Sequence, residues 1–252
     1  MANEPAANPM LRELIQVGFK RLLAPSYARL KRLLAPSYAR LFPREWKHRS
    51  ELRFWRWWLY ENYGRVGNSW YEPLYTDVYG LTSEDFKDKR ILDIGCGPCG
   101  SLEWANMAAR RVGLDPLARK YQKLVGEQHK MEYVTARSEC IPFPDAYFDV
   151  LSCLNALDHV DDFDATVREI KRVVKRGGLF LLSVEIDHPP TATEPIVIND
   201  LALRKFGPEF ETATSFRVGK PHDYNLHRAV MNRSPPYIPG QPGMYVARYV
   251  RR

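Results

Sequence analysis

The chain lacks any long apolar run. Over 252 residues, no stretch approaches the ~20 apolar residues that a membrane-crossing helix needs, which excludes a helical integral membrane protein. Cysteine is scarce: Cys96, Cys99, Cys140 and Cys153 are too few for a disulfide-stapled scaffold and suit a reducing cytoplasm. Cys140 and Cys153 form no second close pair beside Cys96 and Cys99, so a zinc site lacks its ligand set and no metal is expected. The opening "MANEPAANPM" has no basic-then-apolar pattern, so secretion is not expected and a cytoplasmic location is. Acidic residues are few at one end only. Residues 1–66 carry 13 Lys/Arg against 5 Asp/Glu, whereas the remainder carries 24 against 25. That contrast divides the chain into a basic, aromatic-rich helical arm (1–66) and a nearly neutral body (67–252).

The body alternates between two periodicities. "RILDI" (90–94) predicts a strand, and "SLEWANMAARR" (101–111) has helical spacing through Leu102, Ala105 and Ala109. "RVGLD" predicts a second strand, followed by a helix over "PLARKYQKLVGEQ" with Pro116 in its first turn. "MEYVTA" and "FDVLSCLN" predict strands three and four. "DDFDATVREIKRVVKRGG" predicts a helix that is acidic at its start, basic at its end and stopped by Gly177-Gly178. "LFLLSVEI" predicts strand five. This alternation specifies a mostly parallel sheet with helices on both faces, and ligands in such folds bind beyond the carboxyl ends of the strands. Gly95, Asp115, Ser138, Asn155 and Asp187 all fall at or just after strand ends and are expected to line one cleft. Farther on, "NDLALRKFG" predicts a short helix, and "ETATSFRV" and "GMYVARYV" a closing antiparallel pair around a proline-rich loop.

"RILDIGCGPCGS" contains two signals in the same residues. Cys96-Gly97-Pro98-Cys99 is the tetrapeptide of thioredoxin-like redox sites, and Gly95-x-Gly97-x-x-Gly100 is a glycine turn of the nucleotide-binding kind. The second has the context it requires: a strand before, a helix predicted after, and Asp115, 20 residues past Gly95, placed to accept hydrogen bonds from ribose hydroxyls. Redox chemistry needs an exposed, acidified thiol, for which nothing else in the chain provides. The cofactor turn is therefore preferred, with both cysteines as small residues filling it. A nicotinamide cofactor would also suit the glycines. However, the Tyr-x-x-x-Lys pair of short-chain dehydrogenases is present only as Tyr27 and Lys31, ahead of the turn rather than well after it.

Taken in order, "LDIGCGP", "GLD", "ARSECIPFPDAYFDVL" and "REIKRVVKRGGLFLLS" resemble the class I S-adenosylmethionine-dependent methyltransferases, in particular the group modifying quinones, sterols and sugars. The resemblance spans about residues 82–190 and implies a Rossmann-like fold with S-adenosylmethionine as cofactor. It implies that Gly95, Cys96 and Gly97 wrap the methionine portion, with Asp93 shaping the turn, and that Asp115 and Pro116 meet the ribose. Ser138 and Glu139 would meet the adenine, and Asn155 would lie beside the cofactor. The sequence departs from the family in having Arg137 where many relatives have an acid, and "KRGG" in place of Lys-Pro-Gly-Gly.

The reaction implied is methyl transfer to a small-molecule or lipid-linked acceptor, foremost at oxygen on a glycan, quinone or secondary metabolite. RNA methylation and a silent methyltransferase-fold scaffold are the alternatives. Asn155 is not followed by the Pro-Pro-aromatic signature of amino-methylating nucleic-acid enzymes. His188 and Asp187, after strand five, are the preferred candidates for a general base, with His159 behind them. Tyr71 and Tyr75 are placed to close over the cofactor. In the arm, "KRLLAPSYARL" occurs twice, at 20–30 and 31–41, and its leucines and tyrosines fall on one helical face. The plainest reading of the arm is a lid over the active site with a solvated basic face; basic residues and tryptophans over residues 11–58 also suit peripheral contact with an anionic membrane, with nucleic acid or a protein partner as competing readings.

Overall fold

The computed structural model describes residues 43–252 other than 63, 65, 67, 69, 127, 223 and 224. The tandem repeat, Tyr27, Lys31 and most of the basic arm lie outside the described residues. Residues 50–252 form one compact unit, so residues 50–66, which charge groups with the arm, belong with the sheet. None of the described helices is long and apolar enough to cross a membrane.

Seven strands make one sheet in the order β3-β2-β1-β4-β5-β7-β6. They are β1 (Arg90–Ile94), β2 (Arg110–Leu114), β3 (Glu132–Val134), β4 (Phe148–Leu154), β5 (Val174–Ile186), β6 (Phe210–Gly219) and β7 (Gly243–Arg251). The first five pair in parallel, and β7 runs antiparallel between β5 and β6, as the sequence pattern leads one to expect. The helices are α1 (Pro43–Glu61), α2 (Glu72–Tyr75), α3 (Ala118–Val125), α4 (Phe163–Val173), α5 (Asp200–Leu203) and α6 (Leu226–Asn232). Alternate strand residues point to opposite faces. Leu92, Ile94, Leu151, Cys153, Phe180 and Leu182 pack in one buried cluster, and Ile91, Val150 and Leu181 in the other. Asp93 pairs in register with Ser152 across β1 and β4 and shares the second face with Ile91.

Two expectations fail, each for a visible reason. The helix predicted over 101–111 is absent, and a chain of tight turns leads into β2 instead. The carbonyls of Leu102 and Glu103, which a helix would use internally, accept from the Arg111 guanidinium at 3.3 and 3.0 Å. Glu103 Oε1 in turn accepts from the Lys130 and Met131 N–H groups at 2.8 and 2.6 Å, and Trp104 packs edge-on against Phe86. Side-chain anchors to distant segments thus outweigh the helical spacing of a few apolar residues. The other failure is the Gly177-Gly178 stop. Helix α4 already ends at Val173, and the glycines lie inside β5, where the register jumps from Phe148↔Val174 to Val150↔Leu179. A Cβ on Gly178 would sit 2.9 Å from the Asp149 carbonyl oxygen, so the irregular pairing needs a residue without one.

The "PFPD" segment is held by one side chain. Arg172, in the last turn of α4, donates to the carbonyls of Ile141 and Phe143 at 2.8 and 2.7 Å and to Asp145 at 2.9 Å, while Glu169 braces it. That family-like stretch is therefore a buttress for β4, which carries site residues at its end.

Candidate active site

A cavity of about 690 Å³ opens at the carboxyl ends of β1 and β4, within the range of roughly 300–1,000 Å³ usual for small-molecule sites. Gly95, Cys96 and Gly97 form its floor, and Asp93, Ser101 and Asn155 line it nearby. The opposite wall is aromatic and includes Trp55, Trp58, Trp70, Tyr71 and Tyr75. His227 and Asn225, at the start of α6, complete it.

Gly95 and Gly97 have φ of +74° and +57°. A Cβ at Gly95 would overlap the Cβ of Ala156, so this backbone position admits only glycine without rearrangement. Beneath the turn, the Asp93 carboxylate accepts from Ser152 at 2.6 Å, Ser101 at 2.5 Å and the Tyr75 hydroxyl at 3.0 Å. Burial still raises its pKa to about 6, because three neutral donors only partly replace lost water. Asn155 sits at φ +53° with its N–H on the Ser183 carbonyl, and its Oδ1 is buried without a hydrogen-bond partner. An orphaned acceptor in a cavity wall is paired when a donor-bearing ligand enters.

The two thiols of the Cys-Gly-Pro-Cys stretch are unsuited to disulfide exchange. Both are buried; Cys96 packs so close to Gly113 that a Cβ there would lie 2.7 Å from its sulfur. Burial pushes the Cys96 thiol far above its ordinary range, and the Cys99 thiol to about 12 despite a hydrogen bond with Tyr71. A reactive cysteine requires the opposite shift.

With this turn and its acid in place, residues 92–182 match the family described as methyltransferase domain. Over that stretch the chain is similar to methyltransferase domains. A ubiquinone biosynthesis O-methyltransferase of Aeromonas salmonicida is 34% identical over 130 residues, 48% of this chain and 53% of that one. A ubiquinone/menaquinone biosynthesis C-methyltransferase of Francisella tularensis is 38% identical over 84 residues, 33% of this chain and 31% of its own. The chain spans about half the length of the first curated relatives it matches, 44% and 53%. The fold is shared with an S-adenosylmethionine-dependent methyltransferase of Mesorhizobium loti, at a TM-score of 0.50 and 20% identity over 66% of this chain and 93% of that one.

The cavity presents groups that fit the amino-acid half of S-adenosylmethionine: the backbone of the glycine turn, the Asn155 acceptor and the Asp93 carboxylate below. The adenosine half is arranged differently from expectation. Asp115 is buried at the end of β2, its Oδ1 accepting from the Leu117 N–H at 2.7 Å, and it does not line the cavity. The indole of Trp55 lies over Gly97 and stands edge-on to Tyr121, so α1 covers this side of the turn. Burial, with smaller repulsion from Glu51 and Asp93, raises the Asp115 pKa to about 6 against hydrogen bonds from the Leu117 and Gly97 N–H groups. Pro116 is exposed in the turn ahead of α3. Ser138 is buried on the Thr166 hydroxyl at 2.9 Å. Glu139 accepts from the Asp161 and Asp162 N–H groups at 2.8 and 3.1 Å, tying its loop to the start of α4. Neither Ser138 nor Glu139 lines the cavity; their polar atoms are already used in packing.

The three candidate bases also fall outside it. His188 is buried, with Nδ1 at 2.9 Å from the Pro189 carbonyl and Nε2 at 3.4 Å from Asp158, which raises its pKa to about 9. It is therefore cationic near neutrality and a poor base. Asp187 accepts from the Tyr237 hydroxyl at 2.6 Å. His159 lies between Glu51 and Glu194 at 3.5 and 3.9 Å. The histidine that does reach the cavity, His227, has no sequence signal; it follows β6, where no family motif guides the reading. Tyr71 and Tyr75 line the cavity. Ser101 and Ser152, the partners of Asp93, are recognisable only from strand register and the course of the turn.

Proposed function

We propose that this protein transfers the methyl group of S-adenosylmethionine to a hydroxyl of a flat, ring-bearing small-molecule or lipid-linked acceptor. The single observation that supports this reading is the union, in one cavity, of the glycine turn with a wall of indole and phenol rings and one histidine. The cofactor, when bound, supplies an already activated methyl group on its sulfonium. The residues of the chain then have to position, desolvate and move one proton. Gly95 and Gly97 let the backbone approach closely, and Asn155 Oδ1 accepts from an amino group. Trp55, Trp58 and Trp70 exclude water and offer faces on which a planar acceptor stacks. Desolvation by the surrounding side chains lowers the pKa of His227, a residue otherwise exposed, so its imidazole is neutral near pH 7 and can take the hydroxyl proton. Trp70 holds that ring at a centroid distance of 5.2 Å.

Calorimetry with S-adenosylhomocysteine tests the first half: micromolar binding by the wild type, weakened at least tenfold in Asn155→Ala, is the expected result. Methyl transfer to a panel of phenolic, quinol, glycan and RNA acceptors tests the second, with His227→Gln keeping cofactor affinity and losing ~100-fold or more in kcat. No binding, or methylation confined to RNA or to amines, refutes the reading.

A further inference from the structure

Helix α1 has two apolar sides, and only one is used within the fold. Within residues 50–61, Trp55 and Trp58 pack edge-on against each other, Trp55 also meets Tyr121, and Leu59 is buried. On the other side Phe54, Trp57 and Tyr60 are 49%, 55% and 80% exposed. Together with Trp70 they make up four of the eight large hydrophobic residues exposed among the described residues, gathered within one short stretch. Arg53 and Arg56 are exposed on the same helix, at helical spacing from Trp57 and Tyr60. Phe54 and Trp57 also line the cavity, so this face borders its mouth.

We infer that the Arg53–Tyr60 face of α1 docks on an anionic lipid bilayer, with the mouth of the cavity turned toward the membrane. Tryptophan and tyrosine prefer the headgroup boundary, where an apolar ring is buried and its polar edge stays wet. Arginines beside them add attraction for negatively charged headgroups. Residues 1–42, which precede this helix in sequence, carry 7 Lys/Arg against 2 Asp/Glu, an excess of the same sign. A convex helix face with protruding rings suits a lipid boundary better than a single-stranded nucleic acid, which is bound in a groove that tracks its backbone. The docking does not depend on the chemistry proposed above; it concerns where the acceptor enters.

The test is flotation of the full chain with vesicles of 30% phosphatidylglycerol and 70% phosphatidylcholine, against vesicles of phosphatidylcholine alone, at 0.15 M salt. The variant is Arg53→Glu/Arg56→Glu/Tyr60→Ser, three residues that do not line the cavity. The wild type is expected to float with the anionic vesicles only, and the variant to partition at least tenfold less while keeping the wild-type melting temperature. If the triple variant melts early, Tyr60→Ser alone, altering a residue 80% exposed, is expected to lower partitioning measurably. The proposal is overturned if the wild type does not float, if the correctly folded variant floats as well as the wild type, or if the same substitutions abolish binding to oligo(dT) while vesicles are ignored. A chain that floats but binds no S-adenosylhomocysteine would sustain the docking and sink the methyl-transfer reading.

Discussion

Replacing Asp115 by asparagine is expected to stabilise the protein at neutral pH. The buried carboxyl titrates at about 6 rather than near the ~3.9 of an unfolded aspartate, and a difference of about 2 in pKa is worth roughly 3 kcal/mol. Because the folded state holds this proton more tightly, the cost is absent below pH ~4, where both states are protonated. It grows through pH 4–6 and is complete above about 6, where both are ionised. Asparagine keeps an Oδ1 for the Leu117 N–H but loses the second acceptor facing the Gly97 N–H, a penalty of about 1 kcal/mol. The variant should therefore be about 2 kcal/mol more stable than wild type at pH 7.5 and about 1 kcal/mol less stable at pH 4. Urea denaturation across that range, followed by tryptophan fluorescence, reads the crossing directly. A difference that does not change with pH, or a variant less stable at pH 7.5, would refute the claim that Asp115 is held ionised at a cost.

Gly95→Ala combines left-handed backbone strain with overlap on Ala156, and together these should lower stability by roughly 2–4 kcal/mol, whereas Gly177→Ala, at φ +71° with nothing within 4 Å, should cost only about 1. Equal melting temperatures for the two variants would show that the turn is not tightly packed. Thiol labelling of the native protein at pH 8 should modify the exposed Cys140 and spare Cys96, Cys99 and Cys153; rapid modification of Cys96 or Cys99 would revive a redox role. Arg172→Met strips charged hydrogen bonds from the Ile141 and Phe143 carbonyls and should cost about 2–3 kcal/mol, read as a melting shift of roughly 5–10 °C.

What the sequence determined by itself is local and periodic. The β-branched run into Gly95-x-Gly97, the acid closing the next strand and the alternation of strand and helix follow from side-chain period and glycine conformation, both readable over a few neighbouring residues. The mostly parallel character of the sheet and its closing antiparallel pair are legible in the same way, whereas the order β3-β2-β1-β4-β5-β7-β6 is not. What the tertiary structure alone decided depends on contacts between distant segments. Arg111 and Glu103 replace the helix expected after the turn, and Asp158 turns His188 from candidate base into buried cation. The return of the chain after β6 brings His227 to the cavity. The packing of α1 covers the Asp115 side of the turn and leaves Phe54, Trp57 and Tyr60 facing outward. These side chains reach partners outside their own turn or element, and the free energy of such a contact exceeds the few tenths of a kcal/mol per residue by which local propensity distinguishes one conformation from another.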